Sequence, residues 1–339
     1  MRKVMIAGIG GASLGTEIAK TLWFAGGYQV FGCDISPQAY GLYDARFAKT
    51  FLVSGEDYGN SVLELCRNME CSCLIPGSER TLVLLAAAHD MFRANGIKLA
   101  VNNPEVIAVC ADKLRTFAFL RQCGFAIPRS SDIATKEDVE NIGLPCIVKP
   151  AQNSGGSALV FYATRAEDAL LYAQYIRTAG AIPIGQEYIP VGEGEFTIGV
   201  LSFQDGSLAG SIALRRSLNA KLSIQMRNDD VVISSGYTQG HIADYPSIRR
   251  TAEEIAEKLR STGPINVQGR MRKGIFVPFE INPRFSASVY LRAMAGFNEV
   301  DIFLRHILAD ERMHPAPLRT GWYLRSLEER YVPDEDIRQ

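Results

Sequence analysis

The sequence predicts a mixed chain, an α/β lobe followed by an α+β region, and three observations carry the prediction. Residues 3–33 read as strand, glycine-rich turn, helix and strand, the opening unit of a doubly wound sheet. Residues 196–203 and 207–214 alternate apolar with polar side chains, as antiparallel strands do. Near the C-terminal end, Ile275-Phe276-Val277-Pro278-Phe279 is apolar and β-prone and runs directly into Glu280-Ile281-Asn282-Pro283-Arg284.

In the first lobe, strand 3–7 is followed by Gly8-Ile9-Gly10-Gly11-Ala12-Ser13-Leu14-Gly15, a helix over 16–24, and a strand over 29–33 ending in Asp34. A dinucleotide fingerprint would place Asp34 on a ribose, but Ser13 stands where its third glycine belongs. The turn is therefore read as close helix–sheet packing or a substrate-side element, with an NAD-dependent enzyme kept as an alternative. Residues 47–53, 61–69 and 73–77 continue the alternation, and Ser78-Glu79-Arg80 falls at the carboxyl edge where open α/β sheets bind ligands. A helix over 82–95 and a short strand over 99–102 close a first domain at 1–104.

Asn103 and Pro104 open a helix over 105–123, as N-cap and first helical residue. Strands over 129–133, 146–150 and 159–162 and a helix over 166–178 follow, giving a second segment at 105–182. Residues 151–157 between two of these strands are small and polar, a loop expected to order on nucleotide. The third segment, 183–339, opens with a strand over 184–189 and the antiparallel pair. A helix over 247–261, the strands beginning at 263 and 275, helices over 288–297 and 299–308, and a strand-like stretch at 322–332 complete it.

Bulk composition narrows the classes of function. The 339 residues are 47% hydrophobic and 22% charged, ordinary for a soluble globular chain. Lys and Arg total 36 against 37 Asp and Glu, so no basic excess points to nucleic acid. No apolar stretch approaches the roughly 18 residues of a membrane span. Met1-Arg2-Lys3 resembles the start of an export signal, but the glycines from Gly8 onward break any apolar core, and a cytoplasmic location is expected. Seven scattered cysteines, Cys71 and Cys73 among them, lack zinc spacing and are read as reduced thiols.

The candidate chemistry centres on the stretch from Phe279 to Ser286. On a strand, Glu280 and Asn282 lie at i and i+2 and share a face, where a carboxylate and an amide oxygen suit a hard divalent cation. Pro283 ends the ladder and Arg284 adds a fixed cation. At the first lobe, Gly10 and Gly11 open a helix whose N–H groups suit an anion such as a substrate carboxylate. Glu79 is matched to an ammonium and Arg80 to a second acid group.

Taken in order, Lys113, Lys149, Gly155-Gly156, Glu187, Glu195, Gln268, Glu280, Asn282 and Arg284 resemble the ATP-grasp superfamily over roughly 105–330. The synthetase domains of the carbamoyl phosphate synthase large subunit are the most similar. The resemblance implies an ATP-grasp fold preceded by a Rossmann-like lobe, and a carboxylate–amine ligase that passes the γ-phosphate of ATP to a carboxylate before an amine attacks. It further implies Lys113 and Lys149 on the phosphates and the backbone of Ser154, Gly155, Gly156 and Ser157 over them. Glu187, Tyr188 and Ile189 would be the hinge that reads adenine, with Glu195 on the ribose. Gln268, Glu280 and Asn282 would hold Mg²⁺ (Mn²⁺ as the alternative ion), and Arg284, aided by Arg216, the transferred phosphate. The partners implied are a small acid and a small amine, with neither nucleic acid nor membrane; many such relatives are homodimers. Carbamoyl phosphate synthases carry a His-Thr-Gly-Asp run where this chain has Tyr237-Thr238-Gln239-Gly240, and this chain has one synthetase unit without a second. Both departures favour a stand-alone ligase over activation of bicarbonate, which stays as an alternative.

Overall fold

The computed structural model describes residues 1–152, 159–228 and 231–338. The first lobe runs β1 (Arg2–Ala7), α1 (Leu14–Ala25), β2 (Tyr28–Asp34), β3 (Lys49–Leu52), α2 (Tyr58–Asn68), β4 (Cys73–Pro76), α3 (Glu79–Ala87), α4 (His89–Ala94) and β5 (Lys98–Leu99). Its five strands are all parallel, in the order β3-β2-β1-β4-β5. Strand order reverses between β1 and β4, so a crevice opens beyond their carboxyl ends. The expected single helix over 82–95 is two: it begins earlier, at the Ser78 cap, and breaks at Ala88. The Ser78 hydroxyl accepts from the Thr81 N–H, so Glu79 and Arg80 occupy the first turn of α3. The glycine turn serves packing: a Cβ on Gly15 or on Gly77 would lie 2.0 Å from the Gly8 carbonyl oxygen. Asp34 accepts from the Ile9 N–H at 2.7 Å and the Ser36 N–H at 3.0 Å, closing that turn from within.

Next come α5 (Pro104–Cys110), α6 (Lys113–Gln122), β6 (Ser130–Asp132), α7 (Lys136–Ile142), β7 (Cys146–Pro150), β8 (Phe161–Ala163), α8 (Ala166–Thr178) and β9 (Pro183–Glu187). The helix expected over 105–123 splits because Asp112 turns its carboxylate back onto the N–H groups of Leu114 and Arg115 and starts a second helix. Strands β6 to β9 form an antiparallel sheet in the order β6-β9-β7-β8, with α7 and α8 against it. The boundary drawn at 183 therefore cuts through a sheet, since β9 pairs with β6 and β7. Likewise α5 and α6 pack with the core of the following segment through Val106, Phe117 and Leu120.

The last segment holds β10 (Glu195–Ser202), β11 (Leu208–Arg216), β12 (Ile224–Asn228), β13 (Val231–Ser234), β14 (Gly240–Ile242), α9 (Pro246–Lys258), β15 (Pro264–Arg272), β16 (Ile275–Asn282), α10 (Val289–Met294), α11 (Glu299–Ala309) and β17 (Gly321–Tyr323). Six strands make one antiparallel sheet ordered β16-β15-β10-β11-β14-β17, while among the described residues β12 and β13 pair with each other alone. The α9 face carries Ile248, Ala252 and Ile255 into the core that Ile198, Val200 and Val267 line. On the other side, Phe297, Val300, Phe303 and Leu304 join a core shared with Ile18 and Leu22 of α1, which ties the first lobe to the large sheet. The hairpin β12–β13 had no counterpart in the expected elements, and the strand expected over 322–332 shrinks to three residues.

Candidate functional site

The β16 prediction places a carboxylate and an amide on one strand face, and the ladder doubles it. Gln268 on β15 lies directly opposite Glu280, and Asn266 directly opposite Asn282. Because side chains alternate, all four project from the same face as a polar square. They line a cleft with Thr197, Lys113, Lys149, Arg216 and Arg284, roofed on one side by Val232 to Gly236 from and after β13. The cleft is open to solvent at its mouth, and Ile147, Ile189 and Phe279 add apolar lining beside the polar square. Glu79 reaches it from the first lobe, its carboxylate 3.7 Å from the Arg284 guanidinium.

Two buried lysines converge there although they come from distant parts of the chain. Lys113 is the first residue of α6, held to the end of β7 by its N–H donating to the Ala151 carbonyl at 3.1 Å. Lys149 is near the end of β7, 7% exposed, and donates to Gln186 Oε1 at 2.9 Å. Burial, reinforced by the positive charge of Lys113 and opposed by Glu280, lowers the Lys149 ammonium to about 7. Such a group is poised to be charged by an arriving anion.

Arg284 donates from Nη1 to its neighbour's carbonyl, Phe285 O, at 2.9 Å and from Nη2 to Asn282 Oδ1 at 3.3 Å. Its Nε is buried without a partner among the described residues. Arg216 also faces the cleft, but most of its donors are engaged: Glu195 at 3.1 Å and the carbonyls of Ser235 and Tyr237 at 2.7 and 3.0 Å.

Several expected residues stand elsewhere. Glu195, expected on a ribose, is fully buried behind the cleft, its two oxygens held by Arg216 and by Arg270 at 2.8 Å. Burial raises its carboxyl, but the two guanidinium groups outweigh burial and hold it below the usual range. An acid so enclosed has no face to offer a sugar. Glu187, Tyr188 and Ile189 do line the cleft. The Glu187 side chain, however, turns to Arg272 at 3.0 Å, the Tyr188 N–H donates to the Pro145 carbonyl, and the Ile189 carbonyl accepts from Arg270 at 2.6 Å. Those groups are spoken for, which confines any backbone reading of a base to the rest of the hinge.

The substrate set of the first lobe divides. Glu79 joins the main cleft, whereas Gly10 and Arg80 line a second crevice with Asp34, Tyr58 and Ser78. Gly11 packs on Tyr40, where a Cβ would lie 2.9 Å from the ring's own Cβ. Successive residues on a helix point about 100° apart, and Glu79 and Arg80 accordingly line different crevices. Ser154, Gly155, Gly156 and Ser157 lie outside the described residues.

Sequence reasoning missed Thr197, Asn266 and Arg270. The signal for Asn266 and Arg270 was their place two residues before and two after Gln268 on one strand, and Thr197 stands likewise two residues after Glu195.

The donor set fits Mg²⁺. Gln268, Glu280 and Asn282 can each turn a side-chain oxygen to an ion, one of them a carboxylate, and Mg²⁺ is commonly bound by one or two carboxylates together with waters and phosphates. Among the described residues there is no cluster of three His, Cys, Asp or Glu side chains that suggests another metal centre, and no helix long and apolar enough to cross a membrane.

A parallel α/β lobe, an antiparallel lid sheet and a large antiparallel sheet enclosing this cleft define an ATP-grasp fold. Residues 194–330 match the family described as ATP-grasp in the biosynthetic pathway with Ter operon, and residues 4–100 match the PylC-like N-terminal domain. The chain thus carries an ATP-grasp domain behind a PylC-like N-terminal domain. It is similar to the carbamoyl phosphate synthase large chain of Thermomicrobium roseum, 25% identical over 225 residues. That alignment covers 63% of this chain and only 20% of the relative, so this chain spans a small part of that protein's length. Similar solved structures include the L-amino acid ligase of Bacillus licheniformis (TM-score 0.67, 15% identity, 94% of this chain and 75% of that one). Another is the N5-carboxyaminoimidazole ribonucleotide synthetase of Thermotoga maritima (TM-score 0.60, 17% identity, 94% and 78%). The biotin carboxylase domain of Hydrogenobacter thermophilus 2-oxoglutarate carboxylase gives TM-score 0.69 at 16% identity, over 94% and 72%.

Proposed function

We propose that the chain is an ATP-dependent ligase that phosphorylates a substrate carboxylate from MgATP and couples the acyl phosphate to an amine, releasing ADP and phosphate. One observation carries the reading. A single cleft brings together Lys113 and Lys149, the oxygens of Gln268, Glu280 and Asn282, and Arg284, the parts needed to neutralise a polyphosphate and a transferring phosphoryl group.

In this reading Lys149 and Lys113 hold the phosphates, and Gln268, Glu280 and Asn282 would hold Mg²⁺ (or Mn²⁺). The ion, when bound, supplies charge neutralisation at the β- and γ-oxygens. Arg284 binds the oxygens of the phosphoryl group as it passes to the carboxylate. The carboxylate oxygen attacks the γ-phosphorus, the bond to the β,γ-bridging oxygen breaks, and ADP leaves. The amine then attacks the acyl carbon, loses a proton and expels phosphate. Glu79 would pair with the acceptor's ammonium, giving the first lobe a part in acceptor choice; its position 3.7 Å from Arg284 supports this. The Hydrogenobacter domain was solved as a dimer with MgADP, ADP and bicarbonate, which supports MgATP here and makes a homodimer the assembly to test.

The test is incubation with ATP, Mg²⁺ and pooled small acids and amines, with mass spectrometry of the products. Stoichiometric ADP and phosphate with a condensed product are expected. AMP and pyrophosphate would refute the phosphoryl-transfer reading, and turnover with bicarbonate alone would move the chain to the carbamoyl phosphate synthase-like alternative.

A further inference from the structure

We infer that the buried Arg292–Glu299 pair is a positioning device that turns the Asn266 side-chain amide into a hydrogen-bond donor for an oxyanion in the ligase cleft. The inference rests on the function proposed above and deepens it.

Arg292 and Glu299 are both fully buried, with Nη1 donating to Glu299 Oε1 at 2.9 Å. The other terminal nitrogen, Nη2, donates to Asn266 Oδ1 at 2.6 Å and to Thr197 Oγ1 at 3.1 Å, and the Thr197 hydroxyl donates to the same Oδ1 at 2.8 Å. A guanidinium has donors and no acceptor, so the Asn266 atom that faces it must be oxygen. The amide nitrogen then points away from the pair. Among the described residues none accepts a hydrogen bond from it, and Asn266 lines the cleft while being 2% exposed.

That orientation has a chemical consequence. Asn282, directly opposite, presents an oxygen to Arg284 and would present it to a cation. Asn266 in the same square presents hydrogens, which repel a cation and bind an anion. The pair therefore divides the floor of the cleft into a metal side, Gln268, Glu280 and Asn282, and an oxyanion side at Asn266.

Stability alone does not account for the pair. Arg292 Nε and Glu299 Oε2 are buried without partners among the described residues, and such ion pairs are often no more stabilising than apolar residues of equal volume. The sheet is also shaped to admit it. Gly199 sits opposite Asn266 in the ladder, and a Cβ there would lie 2.3 Å from Arg292 Nη1 and 2.6 Å from Glu299 Oε2.

The oxyanion is either the γ-phosphoryl group or the acceptor acid, and affinities separate them. Calorimetry would give the binding of MgADP, of Mg·AMP-PNP, and of inorganic phosphate to protein already loaded with Mg·AMP-PNP. For Asn266→Asp, MgADP affinity should stay within about threefold while one of the other two falls at least tenfold. A fall for Mg·AMP-PNP assigns the γ-phosphoryl oxygens; a fall for phosphate assigns the acid. The double variant Arg292→Met/Glu299→Met, which removes both charges at similar volume and keeps the fold testable, should show the same selective loss with Asn266 intact. Wild-type affinities in all three titrations for either variant would overturn the inference. A wild-type protein that binds neither nucleotide would instead sink the ligase reading itself.

Discussion

Nucleotide affinity should fall steeply with pH because of Lys149. In the free protein its ammonium is lowered to about 7 by burial and by Lys113, so above neutrality it is largely uncharged. Phosphates in the cleft supply the missing counter-charge and return it towards its ordinary value of 10.5. Binding above pH 7 must therefore take up a proton. One-proton linkage between those values gives a loss of about 50-fold in affinity from pH 7 to pH 9, or ~2.3 kcal/mol, and little change below pH 6. At pH 8 about 0.9 proton should be taken up per MgADP bound, read by calorimetry in two buffers of different ionisation enthalpy. The free protein shows the opposite sign. Between pH 7 and about 10 the unfolded chain holds the extra proton, so Lys149's contribution to stability rises with pH across that window. Lys149→Arg, charged throughout, should bind MgADP with a flat profile. Flat affinity in the wild type from pH 7 to 9, with no proton uptake at pH 8, would refute the reasoning.

Four further outcomes are expected. Glu280→Ala and Asn282→Ala should each abolish ligase turnover while circular dichroism and melting stay close to wild type. Glu79→Gln should raise KM for the acceptor substrate and leave that for ATP nearly unchanged; a parallel rise in both would return Glu79 to a purely structural role. Glu195→Gln should cost about 3–5 kcal/mol in urea unfolding, because it strands two buried guanidinium groups; a cost below about 1 kcal/mol would reopen the ribose contact. Gly199→Ala should destabilise by about 1–3 kcal/mol through overpacking against Arg292, measured the same way.

What the sequence determined by itself follows from local rules. Alternation along 275–282 put Glu280 and Asn282 on one strand face, while the reading of the lysines, glutamates and Arg284 as phosphate chemistry came from their resemblance, in order, to the ATP-grasp superfamily. The glycine turn and the antiparallel pair were legible for the same reason, since each depends on residues within a few positions of one another, whereas the Ser78 cap of α3 was missed and that helix was expected to start at 82. Tertiary structure decided the partners. Glu195 looked like a ligand because nothing in the chain announces that Arg216 and Arg270 close on it, 21 and 75 residues away. Glu79 and Arg80 are neighbours in sequence, yet the turn of α3 sends them to different crevices. Asn266 gained its orientation from Arg292 on a helix beyond the next strand. Strand periodicity fixes which face a side chain shares; which charge meets it there depends on how separate elements pack, and that information is distributed over the whole chain.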